Sequence, residues 1–103
     1  MFYQQGDVLL KRVQINLIGT EIEAPKNGLL IVADGEHTGH KHAISSTEAI
    51  IKIKNGKRYI LTENGFTITH EEHKPITVQP GIYEIGIVQE YDHFAEEARN
   101  VQD

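Results

Sequence analysis

Five of the six histidines fall in two short windows: His37, His40 and His42, then His70 and His73. On a strand, residues i and i+2 point the same way, so His40 and His42 could meet one ion at about 2.0–2.1 Å. The second window is His70-Glu71-Glu72-His73. On a helix i and i+3 share a face, whereas on a regular strand they point apart. Pro75 follows closely, so a turn there could bring both rings to one side; otherwise one ring joins the site with a carboxylate beside it. Three or four imidazoles with at most one carboxylate suit Zn, or else Fe, Ni or Cu, better than Mg or Ca, which prefer all-oxygen ligands. We therefore expect a divalent transition metal held by His40, His42, His70 and His73. Glu71 and Glu72 are the candidate general bases beside a metal-bound water. An isolated histidine usually just hydrogen-bonds backbone; the clustering is what argues for a ligand set here.

Other reactive types carry less. Glu36 could orient a ligand histidine, and Gly35 and Gly39 could flank an anion-binding nest of backbone amides, although loop punctuation accounts for both glycines. Ser45, Ser46 and Thr47 read as a turn, since nothing marks one hydroxyl as activated. Lys52, Lys54, Lys57 and Arg58 form a basic hairpin, which we read as a charged sheet edge that discourages association. Tyr83, Tyr91 and Phe94 read as core or helix-docking residues.

The elements that must position these residues are mostly strands. Residues 8–15 begin apolar and leave a Gly6-Asp7 turn; residues 16–28 read as a loop with a short extended piece at 20–23. Leu29–Ala33 is a buried-strand candidate, and 40–46 looks extended. Ile50–Lys54 alternates Ile with Lys and leads through Asn55-Gly56, the strongest short hairpin signal, into Lys57–Glu63. Asn64-Gly65 opens a strand at 66–70. Pro75 and Pro80-Gly81 bound another extended piece, and 82–90 reads as the last strand. Asp92 is placed to cap a closing helix over about 92–101, with Phe94, Ala98 and Val101 on one face. The expected fold is all-β: seven or eight short strands in a single domain over 1–103, as a small sandwich or partly closed barrel with a C-terminal helix.

The chain has 103 residues, 39% hydrophobic and 24% charged, enough for one core and too few for two. Cys is absent, which excludes disulfides, thiolate-bound metal and thiol catalysis. Ten basic against fifteen acidic residues give a net charge of -5, which argues against duplex nucleic acid and anionic membranes as partners. Without an apolar run of roughly 18 residues or a signal-peptide pattern, a cytoplasmic location is the expectation.

The order Gly35, His40, His42, Glu48, Gly56, with Pro80-Gly81 further on, resembles the first cupin motif and its later turn. A fuller resemblance spans nearly the whole chain. Gln5-Gly6-Asp7-Val8-Leu9-Leu10, Gly35-Glu36-His37-Thr38-Gly39-His40-Lys41-His42, His70-Glu71-Glu72-His73-Lys74-Pro75-Ile76, Pro80-Gly81-Ile82-Tyr83 and Glu90-Tyr91-Asp92 look like a functionally uncharacterised family of small bacterial and phage-associated proteins. In that pattern the slot of His37 tolerates other residues, and Gln89 and His93 stand where the family has Arg and Pro. The resemblance implies no activity. From the residues, the expectation is a metal-binding β protein, cupin-like in character, that could act as a metal-dependent enzyme on a small molecule. The alternative is a non-catalytic module from a mobile element or phage, holding an anion, a nucleotide or a partner peptide. Either could form a homodimer. A purely structural protein with an incidental histidine cluster is the third reading.

Overall fold

The computed structural model describes residues 1–34 and 39–88. Among them are ten strands: β1 Phe2–Gln5, β2 Val8–Arg12, β3 Glu21–Ile22, β4 Leu29–Asp34, β5 Lys41–Ser45, β6 Ile50–Lys54, β7 Lys57–Thr62, β8 Phe66–Thr69, β9 Ile76–Val78 and β10 Gly81–Ile87. They form two antiparallel sheets, one ordered β1-β2-β10-β7-β6-β3 and the other β4-β5-β8-β9. Among the described residues the sheets do not join into a closed barrel; they share one core, in the manner of a two-sheet sandwich. The helix expected over 92–101 lies outside the described residues. No helix among them is long and apolar enough to cross a membrane.

Local chemistry accounts for most of the turns. Asn55 and Gly56 both take positive φ (52° and 76°), the requirement of a type I′ turn, and β6 pairs with β7 immediately outside it at Lys54↔Lys57. Asn27 and Gly28 do the same (51° and 77°) within a Lys26↔Leu29 bridge that starts β4. Gly65 has a second reason to be glycine. At φ 87° a side-chain carbon there would sit 2.6 Å from the Val78 carbonyl oxygen, so the turn into β8 packs directly on the end of β9.

Burial follows the period-two alternation of the strands. The larger sheet turns Val8, Leu10, Ile51, Ile60 and Tyr83 inward; the smaller contributes Leu30, Val32, Ile44, Phe66, Ile68 and Val78 to the same core. The chain passes from one sheet to the other between β3 and β4, β5 and β6, β7 and β8, and β9 and β10.

The structure corrects the reading of the basic hairpin. β6 lies between β3 and β7, and β7 between β6 and β10, so the hairpin is interior to its sheet. Lys52 and Lys54 instead donate to the carbonyls of Leu17 and Asn16, which fastens the loop after β2 over the sheet. Arg58 pairs with both Glu23 carboxylate oxygens (2.9 and 2.7 Å) and donates to the Val32 and Ile31 carbonyls (2.6 and 2.7 Å). Those carbonyls flank the register shift between β4 and β5, so Arg58 ties the larger sheet to the irregular part of the smaller one. Ser45, Ser46 and Thr47 do form a turn, with the Ser45 and Thr47 hydroxyls 2.8 Å apart.

Candidate metal centre at one end of the sandwich

The two histidine windows meet. β5 pairs with β8 at Ala43↔Thr69 and Ile44↔Ile68, and one further step along that antiparallel register sets His42 opposite His70. Their ring centroids are 4.3 Å apart. His42 is two residues from Ile44 and shares its inward side, so its imidazole continues the core at the end of the sandwich and is only 1% exposed. After β8 the chain bends before Pro75, and His70 and His73 come to 4.7 Å centroid to centroid. His73 lies 6.1 Å from His42 with the rings nearly parallel, and His40 lies 5.7 Å from His70. Four imidazoles separated by up to 33 residues in the chain thus share one corner. His37 and Glu36 lie outside the described residues.

Two residues absent from the expected ligand set complete the corner. Gln5, at the end of β1 and 4% exposed, donates through Nε2 to the carbonyls of Ile68 (3.0 Å) and Lys74 (2.9 Å). A carbonyl oxygen can only accept, so the amide orientation is fixed, and Gln5 Oε1 must face His42 Nδ1, 2.8 Å away. His42 therefore donates from Nδ1, and in the neutral ring the lone pair resides on Nε2. That atom faces Asp7 Oδ1 at 3.4 Å. Between Gln5 and Asp7, Gly6 takes φ 58°; a carbon added to it would lie 2.7 Å from His73 Nε2 and 3.2 Å from His42 Cε1. The turn between β1 and β2 thus forms one wall of the corner, and glycine keeps the space beside both rings open. Gly6-Asp7 is visible in the sequence as a turn. Its meeting with His42, 37 residues from Gln5, rests on sheet pairing and has no local signal.

The remaining groups are oriented by backbone. The Glu72 N–H donates to His70 Nδ1 (3.0 Å), so the neutral His70 ring carries its proton on Nε2. Glu71 receives the Lys41 N–H on both oxygens (3.0 Å each), and this hydrogen bond holds its carboxyl below the ordinary carboxylate range. Glu72 approaches His40 Nδ1 at 3.7 Å and is 56% exposed. Burial pushes the His42 imidazole below its usual 6.5; His70 and His73 act in the same direction and Asp7 opposes them. A neutral ring is the form that can ligate a metal. Among the described residues, no three His, Asp or Glu side chains have their donor atoms already gathered into a metal-binding group. Glu48, which occupies the acidic position of the cupin-like order, accepts instead from the Thr67 N–H (3.3 Å).

No curated protein and no solved structure matches the chain. A family match does extend over residues 4–88, taking in both histidine windows and the Gln5-Gly6-Asp7 turn, and the chain belongs to that family, described as a domain of unknown function (DUF8820).

Proposed function

We propose that the protein binds one divalent transition metal ion, zinc in the first instance, in the corner formed by His40, His42, His70 and His73. The observation that carries this reading is the convergence of the four imidazoles, with neighbouring centroids 4.3 to 6.1 Å apart, around a buried ring whose outer nitrogen faces a carboxylate. Borderline-soft nitrogen donors favour Zn, Fe, Ni or Cu over Mg and Ca. His73 is exposed and His40 and His70 partly so, whereas His42 is enclosed, so gathering donors around an ion calls for movement of the outer rings about a fixed His42. With a coordination position left to solvent, the ion would supply Lewis-acid chemistry toward a small molecule. Glu72 is then the better suited of the two acidic neighbours to move a proton, since Glu71 is engaged by the Lys41 amide.

Metal analysis of protein purified without an affinity tag tests the reading. About one equivalent of tightly held metal is expected, with stabilisation on adding Zn that His42→Ala abolishes. Affinity should weaken as pH falls below roughly 6.5, the ordinary imidazole value, with burial carrying the His42 step below it. Absence of Zn-dependent stabilisation in the wild-type protein, or affinity indifferent to pH, would reject it.

A further inference from the structure

The corner holds as many imidazoles as a tetrahedral ion has positions, but their hydrogen bonds distinguish them. Two imidazoles bound through nitrogen to a single ion have ring centroids about 5–6 Å apart, given metal–nitrogen bonds of about 2.0–2.1 Å. His42 and His73, at 6.1 Å, lie at the outer limit of that range and His40 and His70, at 5.7 Å, within it, so spacing alone does not choose between the pairs; His42 with His70, at 4.3 Å, is a ring-on-ring contact. The Nδ1 lone pair of His70 already accepts the Glu72 N–H, which leaves a proton on its Nε2. His42 is the opposite case. Gln5 fixes its proton on Nδ1 and turns an Nε2 lone pair toward Asp7 Oδ1.

Two acceptors facing each other repel unless a cation lies between them. Their separation of 3.4 Å is longer than the 2.7–2.9 Å of a charge-assisted hydrogen bond. It equals the edge of a tetrahedron with metal–nitrogen and metal–oxygen bonds of about 2.1 Å, which is about 3.4 Å. His73 Nε2 borders the same gap, since a carbon added to Gly6 would lie 2.7 Å from it and 3.2 Å from His42 Cε1.

On the reading that this corner binds a metal, we propose that the ion is held by His42 Nε2, His73 Nε2 and Asp7 Oδ1, with Gln5 setting the His42 tautomer and His70 packing beside the site as a positioning residue that does not ligate. The site is then a two-histidine, one-carboxylate centre with at least one position open to solvent or a small oxygen ligand. This differs from an all-imidazole cage in charge and in exchange behaviour.

The test uses the untagged 103-residue chain titrated with Zn against a chromophoric chelator, with thermal unfolding in chelator as a check on folding. Asp7→Asn keeps the size of the side chain and removes its charge. His70→Asn keeps a turn acceptor for the Glu72 N–H and removes the imidazole. Asp7→Asn should weaken Zn binding by about 100-fold, close to His42→Ala, while His70→Asn, which removes a supporting neighbour and not a ligand, should weaken it by only about tenfold. X-ray absorption of the Zn-loaded wild-type protein should show two imidazoles and oxygen donors, whatever the variants do to folding. Wild-type affinity in Asp7→Asn beside a clear loss in His42→Ala would overturn the assignment of Asp7 and leave metal binding intact. So would an absorption spectrum fitted by four imidazoles. No Zn binding by the wild-type chain would remove the site altogether.

Discussion

Gln5 shows how a single side chain can order a polar corner inside an apolar sandwich. It is buried, and it meets two carbonyls and one imidazole with all three of its strong hydrogen bonds. Each such bond contributes only about 1 kcal/mol net, but leaving buried partners unsatisfied costs about 1–3 kcal/mol per group. Gln5→Leu, similar in size, strands His42 Nδ1 and the carbonyls of Ile68 and Lys74. The expected loss is about 3 kcal/mol in urea unfolding, together with weaker Zn binding, because the His42 ring is no longer held in one tautomer. A loss below about 0.5 kcal/mol would mean that water replaces the amide without cost. At this scale the sequence was half legible. The histidine windows stand out by type and spacing, whereas Gln5 and Asp7 look like ordinary turn residues until β1 and β2 are folded against β8.

Elements were readable where a turn needs particular backbone angles. Asn55-Gly56 predicts a hairpin between β6 and β7, and one forms, since both residues accept positive φ at little cost. β1 went unread because Phe2–Gln5 carries too little alternation to separate it from a disordered start. The order of strands in a sheet has no local signature either, which is why the basic hairpin looked like an edge. Arg58 makes the consequence measurable. Its planar fork serves Glu23 and two carbonyls of β4 together, a geometry that a lysine ammonium cannot reproduce. Arg58→Lys is expected to cost about 1–2 kcal/mol, and a double-mutant cycle with Glu23→Gln should show coupling of about 1 kcal/mol. For a solvated hairpin residue both values would lie within about 0.5 kcal/mol of zero.

Over the whole molecule, the two sheets are joined through aromatic side chains as well as through the aliphatic core. Tyr83, on β10 of the larger sheet, meets Phe66 of the smaller sheet edge-on at 6.2 Å and Tyr3 at 5.7 Å, and its hydroxyl donates to the Gln79 carbonyl at 2.7 Å. Burial, reinforced by Tyr3, pushes its pKa from 10.0 up to about 12, because a phenolate there would lose its water and its donor role together. Between those two values the unfolded chain releases this proton while the folded one keeps it. The contribution of Tyr83 to stability is therefore fully present below pH 10 and declines as pH rises toward 12. Tyr83→Phe removes both the hydrogen bond and the titration. At about pH 8 the variant should be less stable by about 1 kcal/mol, the usual net value of one hydrogen bond. Urea unfolding at successive pH values above 10 should then show the gap between the two proteins narrowing, since only the wild type has a tyrosine at this position to deprotonate on unfolding. A gap that stays constant across that range would mean that the Tyr83 hydroxyl ionises as readily in the folded protein as in water, and that the joint between the sheets is wetter than its packing implies.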